Sequence, residues 1–324
     1  MASGALTLLE ASKGEPTQLK AGVIQTIIQE SPIIEKLPWL PFEGAALQHE
    51  VEETMPDATF RDVNEAYTNS FGTTSFYFWG VAIMGGQVKL DNFLQRVMSS
   101  RSDQKAKQFA SLAKSNAMRF DYEFFDGDGT NKGFKGVKTL IEDGFGQKLR
   151  NGAAGGGAAL QVSKMDQARD LFKNQGDPSE ILLNRDTRRN LTAYVRSTAV
   201  GITLLEIEKN TLGKRITMYD GMPLTLLGQV RNPSGLEVDA LRFDQDDGAG
   251  GGGSTSTSMY FVKWGEDDVT GILGAGGSFD VVDFGEQQAD PTQMGRLEWY
   301  PGIAVFNKYS IVRLSGITNA IATA

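Results

Sequence analysis

Cysteine is absent from this 324-residue chain, and histidine occurs once, at His49. Without cysteine there can be no disulfide bond, thiolate nucleophile or zinc–cysteine site. A histidine-based triad would have to use His49, yet the stretch "ALQHEVEE" alternates like a β-strand and nothing near it resembles a nucleophile elbow. We therefore interpret His49 as a strand residue at a surface or an interface.

The chain also lacks long apolar runs and an excess of positive charge. No stretch of about 18 apolar residues is present, which predicts no membrane span. The N-terminus lacks the basic start and apolar centre of a signal peptide, which predicts a protein made and kept in the cytosol. The 32 basic and 40 acidic residues give a net charge of −8. This charge argues against a surface that binds phosphate backbones. It is compatible with a container wall that encloses DNA without sequence-specific binding.

Nucleotide-binding loops are missing as well. Glycine-rich runs lie at 155–157, 250–253 and 274–277. None is followed by the Lys-Ser/Thr of a P-loop, and none has the strand-to-helix GxGxxG spacing of a dinucleotide fold. We predict no cofactor.

The stretch "FFDGDGTNKGFKGV" from Phe124 to Val137 is the strongest candidate for a metal site, because Asp126 and Asp128 alternate with glycines. A calcium loop that starts at Asp126 needs glycine at its sixth residue and glutamate at its twelfth. Asn131 and Val137 occupy those positions. Asp and Gly are also the usual residues of tight turns, so we interpret this stretch as a turn and predict no metal site.

Two further acidic clusters and one basic cluster are weaker candidates. The acidic clusters lie in glycine-rich or charged turns, where carboxylates are solvated rather than tuned for acid–base catalysis. The basic cluster opens a predicted helix and favours a charged subunit contact, with nucleic-acid contact as the alternative. These clusters are Asp244, Asp246 and Asp247; Glu266, Asp267 and Asp268; and Arg185, Arg188 and Arg189.

Hydrophobic periodicity predicts three extended parts in the first half of the chain. Apolar spacing over 23–28 predicts a short amphipathic helix that stops at Ser31-Pro32. Alternation from Leu47 to Ile83 predicts a long β-hairpin whose polar middle protrudes. Apolar residues three and four apart predict a helix of roughly 50 Å from Asp91 to Phe125, a length that indicates either a flat, elongated body or a kink near Ser99 to Asp103.

The second half alternates strands and helices and then becomes β-rich. The patterns predict a strand-like piece at 133–144, a strand at 159–162, a helix at 163–176 capped by Ser163, a strand at 180–184 and a helix at 186–198. A hairpin that turns at Asp220-Gly221 and several apolar strands follow, with the last strands in 299–317.

In this order the parts resemble the major capsid protein of tailed bacteriophages, which has the Hong Kong 97-like fold. In that family the long helix runs into a Gly-Asp-Gly-Thr turn and a Gly-Ile or Gly-Val strand, and this chain has Gly127–Thr130 and Gly136-Val137. The stretch "EILLNRDTRRNLTAYV" looks like the strand and helix of the family's axial domain, and "YDGMPLTL" looks like its Gly-x-Pro hairpin. The stretch "GRLEWYPGIAVFNKYSIVRL" looks like its closing strands.

The resemblance implies an α+β fold in five parts. These are an N-terminal arm and short helix (1–44), an E-loop hairpin that lies over a neighbouring subunit (45–88), a peripheral domain with the spine helix (89–158), an α/β axial domain (159–273) and a closing β segment of the peripheral domain (274–324).

The same resemblance implies a non-enzymatic protein without a cofactor, metal or catalytic residue. It would self-assemble into hexamers and pentamers of an icosahedral shell around phage double-stranded DNA, in the host cytoplasm, and would reside in the virion. One implied partner is a portal protein. Whether cementing proteins are further partners is left open by the sequence. Many members carry a long helical scaffolding segment where this chain has only a short arm, so a separate scaffolding protein is expected.

Two other functions remain open. The first has the same fold, an encapsulin that encloses a cargo enzyme. The second is a soluble hydrolase that uses Asp126 and Asp128 with a metal.

Some capsid proteins of this family also link an E-loop lysine to an asparagine of a neighbour. No lysine occurs from Leu37 to Val88, so we expect a shell without covalent cross-links.

Overall fold

The computed structural model describes residues 22–23, 25–27, 30–44, 46–98, 104–130, 132–152, 156–173, 176–197, 205–209, 215–245, 255–274, 279–288 and 290–323. Over these residues the chain has a mixed α+β fold, as predicted. Its helices are α1 (Pro32–Lys36), α2 (Asn92–Met98), α3 (Gln104–Asp126), α4 (Val137–Glu142), α5 (Val162–Asp170) and α6 (Arg185–Ser197). Its strands are β1 (Trp39–Pro41), β2 (Ala46–Thr54), β3 (Thr73–Gly80), β4 (Met84–Asp91), β5 (Gln147–Arg150), β6 (Glu180–Leu183), β7 (Glu206–Lys209), β8 (Arg215–Tyr219), β9 (Met222–Leu226), β10 (Gln229–Arg231), β11 (Glu237–Asp239), β12 (Ser256–Val262), β13 (Val269–Leu273), β14 (Asp280–Glu286), β15 (Thr292–Trp299), β16 (Pro301–Val305) and β17 (Ile311–Thr318).

A seven-stranded mixed sheet in the order β5-β17-β12-β6-β9-β8-β7 is the largest sheet of the described residues. Its strands come from distant parts of the chain, since β17 lies between β5, to which it is parallel, and β12, to which it is antiparallel. The sheet therefore crosses the predicted boundaries at 158/159 and 273/274. The strand β13, within the predicted axial domain, instead pairs with β1 and β16.

Helix α3 forms one wall of the larger core. Its apolar residues Phe109, Ala113, Ala117, Phe120 and Phe124 are all buried, which confirms the periodicity of this segment. Its 23 residues correspond to a length of about 35 Å. The aromatic rings of this core pack closely; Trp299 lies 5.0 Å from Phe120 and 4.4 Å from Phe279 between ring centroids.

The predicted stripe does not continue into α2. Phe93, Leu94 and Val97 keep the helical spacing, but their side chains are exposed. The predicted kink from Ser99 to Asp103 lies outside the described residues.

A second core packs on the large sheet and includes Met165 of α5, Leu191 of α6 and Phe261 of β12.

Several local predictions are confirmed. Residues 22–23 and 25–27 are helical, and Ser31 then caps α1, because its hydroxyl accepts a hydrogen bond from the amide of Ile34. The hairpin of β8 and β9 turns at Asp220 and Gly221, which both have positive φ (45° and 79°), as a two-residue hairpin turn requires.

Two predictions were wrong. The piece at 133–144 is not a strand, because Val137, Leu140 and Ile141 follow helical spacing and form the buried face of α4. Residues 159–162 make only an isolated bridge at Gln161, and α5 begins at Val162 after Gln161, so Ser163 is not its cap. The hairpin predicted from Leu47 to Ile83 is confirmed by the pairing of β2 with β3, while β4, which begins after it at Met84, pairs with β15. No helix of the described ranges is long and apolar enough to cross a membrane.

Candidate functional site

The hairpin of β2 and β3 has one face on the body and one face in solvent. The strands pair antiparallel from Ala46↔Gly80 to Thr54↔Thr73. On the inner face, the rings of Tyr77 and Trp79 each lie 4.8 Å from the ring of Phe145. On the outer face, Phe76 and Phe78 are exposed. This alternation anchors the root of the hairpin and leaves its far end free of the body.

The far end consists of residues 55–72, which we call the tip. Every residue of the tip is exposed, and none lies in a strand or helix. The tip has few internal contacts; for example, the hydroxyl of Ser70 donates to the carbonyl of Asp57 at 3.0 Å. Five large apolar side chains nevertheless project from it: Met55, Phe60, Val63, Tyr67 and Phe71. Such an exposed apolar group on a polar segment marks an interaction surface.

The tip and its adjoining strand are acidic. Residues 50–65 contain six acidic residues and one basic residue, Arg61. The guanidinium of Arg61 lies 5.0 Å from the centroid of the Tyr67 ring and donates to the carbonyl of Glu65. A partner of this surface therefore needs both apolar area and positive charge.

A cavity of about 350 Å³ lies at the root of the hairpin. Its wall combines β3, the loop that follows α3, and α4. The aromatic part of the wall includes Tyr77, Trp79, Phe134 and Phe145, and the charged part is Lys135 with Asp143, whose Nζ and Oδ2 are 2.7 Å apart. Trp79 is only 5% exposed, and its indole N–H has no hydrogen-bond partner. The cavity is thus lined by aromatic rings and one ion pair.

The loop with Asp126 and Asp128 is a turn, as predicted. The Asp128 carboxylate accepts hydrogen bonds from the amide of Thr130 at 2.9 Å and from its hydroxyl at 2.6 Å. A Cβ on Gly127 would lie 2.5 Å from the carbonyl oxygens of Glu123 and Phe134, so this position requires glycine. Burial raises the pKa of Asp126 above its ordinary value, although Lys138 and Arg242 oppose the shift. No group of three or more His, Asp or Glu side chains in the described part of the chain could hold a metal ion.

The other acidic candidates are dispersed. Asp244 pairs with Arg242, while Asp246 and Asp247 lie outside the described residues. Glu266 and Asp267 are exposed, but Asp268 is buried and lies 3.0 Å from the Nζ of Lys263. The carboxylates of these clusters that the structure describes do not come together in a cleft.

The basic cluster and the single histidine occupy different surfaces. Arg185, Arg188 and Arg189 lie at the start of α6, and Arg189 pairs with Asp186 at 2.9 Å. The ring of His49, half-buried on β2, lies 4.6 Å from the ring of Phe306. Of the glycine-rich runs, Gly156, Gly157 and Gly274 are described; the other members lie outside the described residues.

Two buried polar networks were missed by sequence reasoning. The hydroxyl of Ser31 donates to Asp121 of α3 at 2.5 Å. Burial raises the pKa of Asp121 to about 8, although the hydrogen bond from Ser31 acts to lower it. Glu180 of β6 accepts hydrogen bonds from Lys36, Thr225 and the indole N–H of Trp264. Asp121 stands four residues after Ala117 on the apolar stripe of α3, and this break in the stripe is the signal in the sequence.

No protein-family model and no curated protein matches the sequence. Solved structures match over nearly the whole chain at low identity. A chain of the holo-SrpI encapsulin complex from Synechococcus elongatus PCC 7942 is 14% identical, with 93% of this chain and 91% of that chain covered and a TM-score of 0.60. A chain of Microbacterium phage Oxtober96 is 13% identical (88% and 90% covered, TM-score 0.58). A chain of the capsid of the native GTA particle is 14% identical (98% and 94% covered, TM-score 0.54). The chain therefore has the α+β fold of these structures, the Hong Kong 97-like fold that the order of its parts resembles.

Proposed function

We propose that this chain is a structural protein that self-assembles into hexamers and pentamers of an icosahedral shell around phage double-stranded DNA. The observation that carries the proposal is the hairpin: its root is packed on the body, whereas its tip exposes five large apolar side chains to solvent. Isolated two-stranded hairpins are marginally stable in water, so a long one needs a partner surface. Repeated copies of the same chain supply such a surface by symmetry.

The proposal assigns a role to each part. Residues 45–88 would lie over a neighbouring subunit, 89–158 and 274–324 would form the peripheral body, and 159–273 would surround the axis of each capsomer. A separate scaffolding protein and a portal would take part in assembly. The net charge of −8 supports a container wall that does not hold DNA by a basic surface.

A second candidate is an encapsulin-type shell that encloses cargo protein instead of a genome. The fold likeness to a chain of the SrpI encapsulin complex supports it as strongly as the likeness to the phage and GTA chains supports the first. Both candidates share the assembly contacts and differ in particle size and content.

Negative-stain microscopy of the purified chain, alone and with a co-expressed scaffolding protein, tests both candidates. Closed particles of uniform diameter are expected. Nuclease-resistant DNA in particles from infected cells supports the phage head, whereas small DNA-free particles that retain one host protein support the nanocompartment. A chain that stays monomeric at high concentration under every condition contradicts both.

Deletion of Glu52 to Thr73 tests the role of the hairpin. We expect a folded subunit with unchanged far-ultraviolet circular dichroism that no longer closes shells, since residues 52–73 are exposed apart from the backbone pairing of the hairpin. Normal particles from the deletion variant would show that the hairpin is dispensable.

A further inference from the structure

The ion pair of Lys36 with Glu180 lies where the N-terminal part of the chain meets the large sheet. Lys36 is the last residue of α1, and Glu180 is the first residue of β6. The side chain of Glu180 is 2% exposed, whereas that of Lys36 is 36% exposed. A buried carboxylate loses the water that stabilises its charge, and the attraction of its partner offsets that loss only in part. A reaction that removes both charges would therefore relieve the cost of burying them.

A single hydroxyl group contacts both members of this pair. The hydroxyl of Thr225, on β9, accepts a hydrogen bond from Nζ of Lys36 at 2.5 Å. It also donates to Oε2 of Glu180, the same oxygen that Nζ of Lys36 contacts directly. A hydroxyl between a nitrogen and an oxygen can accept a proton from the first and pass its own proton to the second. Thr225 is thus placed as a proton relay from the amine to the carboxyl group.

The other oxygen of the carboxylate has a donor of its own. The indole N–H of Trp264 donates to Oε1 of Glu180. Trp264 is fixed on two sides, because its amide donates to the hydroxyl of Ser179 at 3.1 Å and its ring lies 6.0 Å from the ring of Phe124. A fixed N–H at this oxygen stabilises the negative charge that forms there when a nucleophile adds to the carboxyl carbon. An amine, a proton relay and an oxyanion donor therefore meet at one carboxyl group.

We infer that Lys36 and Glu180 condense to an amide bond within the chain. A proton first passes from Nζ to Oε2, which gives a neutral amine and a neutral carboxylic acid. The lone pair of Nζ then adds to Cδ, and negative charge forms on Oε1 against the N–H of Trp264. Thr225 relays a second proton from Nζ to Oε2. The Cδ–Oε2 bond breaks, Oε2 leaves as water past the exposed side of Lys36, and Nζ keeps its third hydrogen. The step consumes no oxidant, reductant or further reactant.

The product would fasten α1 to the large sheet. Lys36 and Glu180 are 144 positions apart, so the amide would close a long loop of one chain. Its carbonyl oxygen, Oε1, can still accept the hydrogen bond from Trp264. The bond links no two copies, so it is compatible with noncovalent contacts between subunits, and the inference does not depend on the proposed shell function.

Mass spectrometry of the purified full chain, incubated at neutral pH, tests the inference. The intact mass should fall by one water molecule. Trypsin does not cleave after an acylated lysine, so the digest should contain residues 21–61 joined to residues 174–185, the peptides that hold Lys36 and Glu180. The pair of Lys135 and Asp143, 2.7 Å apart, is the internal control; both side chains are exposed, so water stabilises their charges and their peptides should stay unlinked.

Three variants test the named roles, each with its fold checked by circular dichroism. Lys36→Arg keeps the positive charge, but a guanidinium is a poor nucleophile, so this variant should keep its full mass. Thr225→Val should slow the water loss on the order of 100-fold, because it removes the relay, and Thr225→Ser should restore it.

The wild-type chain decides the inference even where a variant does not fold. A wild-type chain that keeps its full mass and is cleaved normally after Lys36 overturns it. A water loss that peptide mapping places at other residues also overturns it. A linked peptide that forms equally fast in folded Thr225→Val overturns the relay through the hydroxyl.

Discussion

Substitution of Asp121 by asparagine should make the stability of the subunit much less dependent on pH. The carboxyl group is buried in α3 and accepts a hydrogen bond from Ser31. Burial raises its pKa from 3.8 to about 8. In the unfolded chain the group ionises near pH 4, whereas in the folded chain it keeps its proton up to about pH 8.

The sign of the effect follows from the bound protons. Between about pH 4 and pH 8 the folded state binds more protons than the unfolded state, so the free energy of unfolding falls as the pH rises. Each pH unit corresponds to about 1.4 kcal/mol, and the whole interval to a loss on the order of 5 kcal/mol. Below pH 4 and above pH 8 this group contributes no further slope.

Urea denaturation followed by tryptophan fluorescence reports on this region, because Trp39 and Trp299 pack against Phe120 of α3. We expect Asp121→Asn to match the wild type near pH 4 and to exceed it by several kcal/mol near pH 8. The control Asp267→Asn, at an exposed carboxylate, should follow the wild-type profile. Parallel profiles for the wild type and Asp121→Asn, measured in the same oligomeric state, would refute the reasoning about burial.

Three other predictions concern the body of the subunit and the shell. Glu180→Ala should lower the free energy of unfolding on the order of 3 kcal/mol, because it leaves three donors without their acceptor, and Glu180→Gln should lose less. Gly295→Ala should cost about 1–3 kcal/mol in denaturant melts, since the new Cβ would lie 2.2 Å from Cζ of the buried Phe109; Gly228→Ala, with open space around it, is the control, and equal midpoints would contradict the packing argument. Particles heated in detergent should run as a single band near 35.2 kDa, and a ladder from the wild type would contradict the expectation of a noncovalent shell.

Local patterns predicted the elements that depend on a few neighbouring residues. The buried stripe of α3 and the turn at Asp220-Gly221 are of this kind, because periodicity and positive φ are properties of short segments. Helix α4 was missed because it is short and glycines flank it, so its three apolar residues were compatible with a strand as well.

Most of the candidate site could not be read from the sequence, because it is made by long-range contacts. The protruding hairpin was predicted, but the cavity at its root requires Trp79 and Phe145 to meet across 66 positions of the chain. The pair of Ser31 and Asp121 is separated by 90 positions. Such contacts depend on how the elements pack, and no local pattern encodes that packing.

The order of strands in the large sheet also bears on how the subunit is made on the ribosome. Strand β17 fills the place between β5 and β12, yet β5 ends at Arg150 and β17 begins at Ile311. At synthesis rates of about 5–20 residues per second, β5 waits on the order of ten seconds for its neighbour. The sheet stays open during that time, and once β12 (Ser256–Val262) has been made, its edge is unpaired until β17 follows, which favours aggregation. A truncated chain without β17 therefore cannot complete its sheet, because β5 and β12 both lack their neighbour.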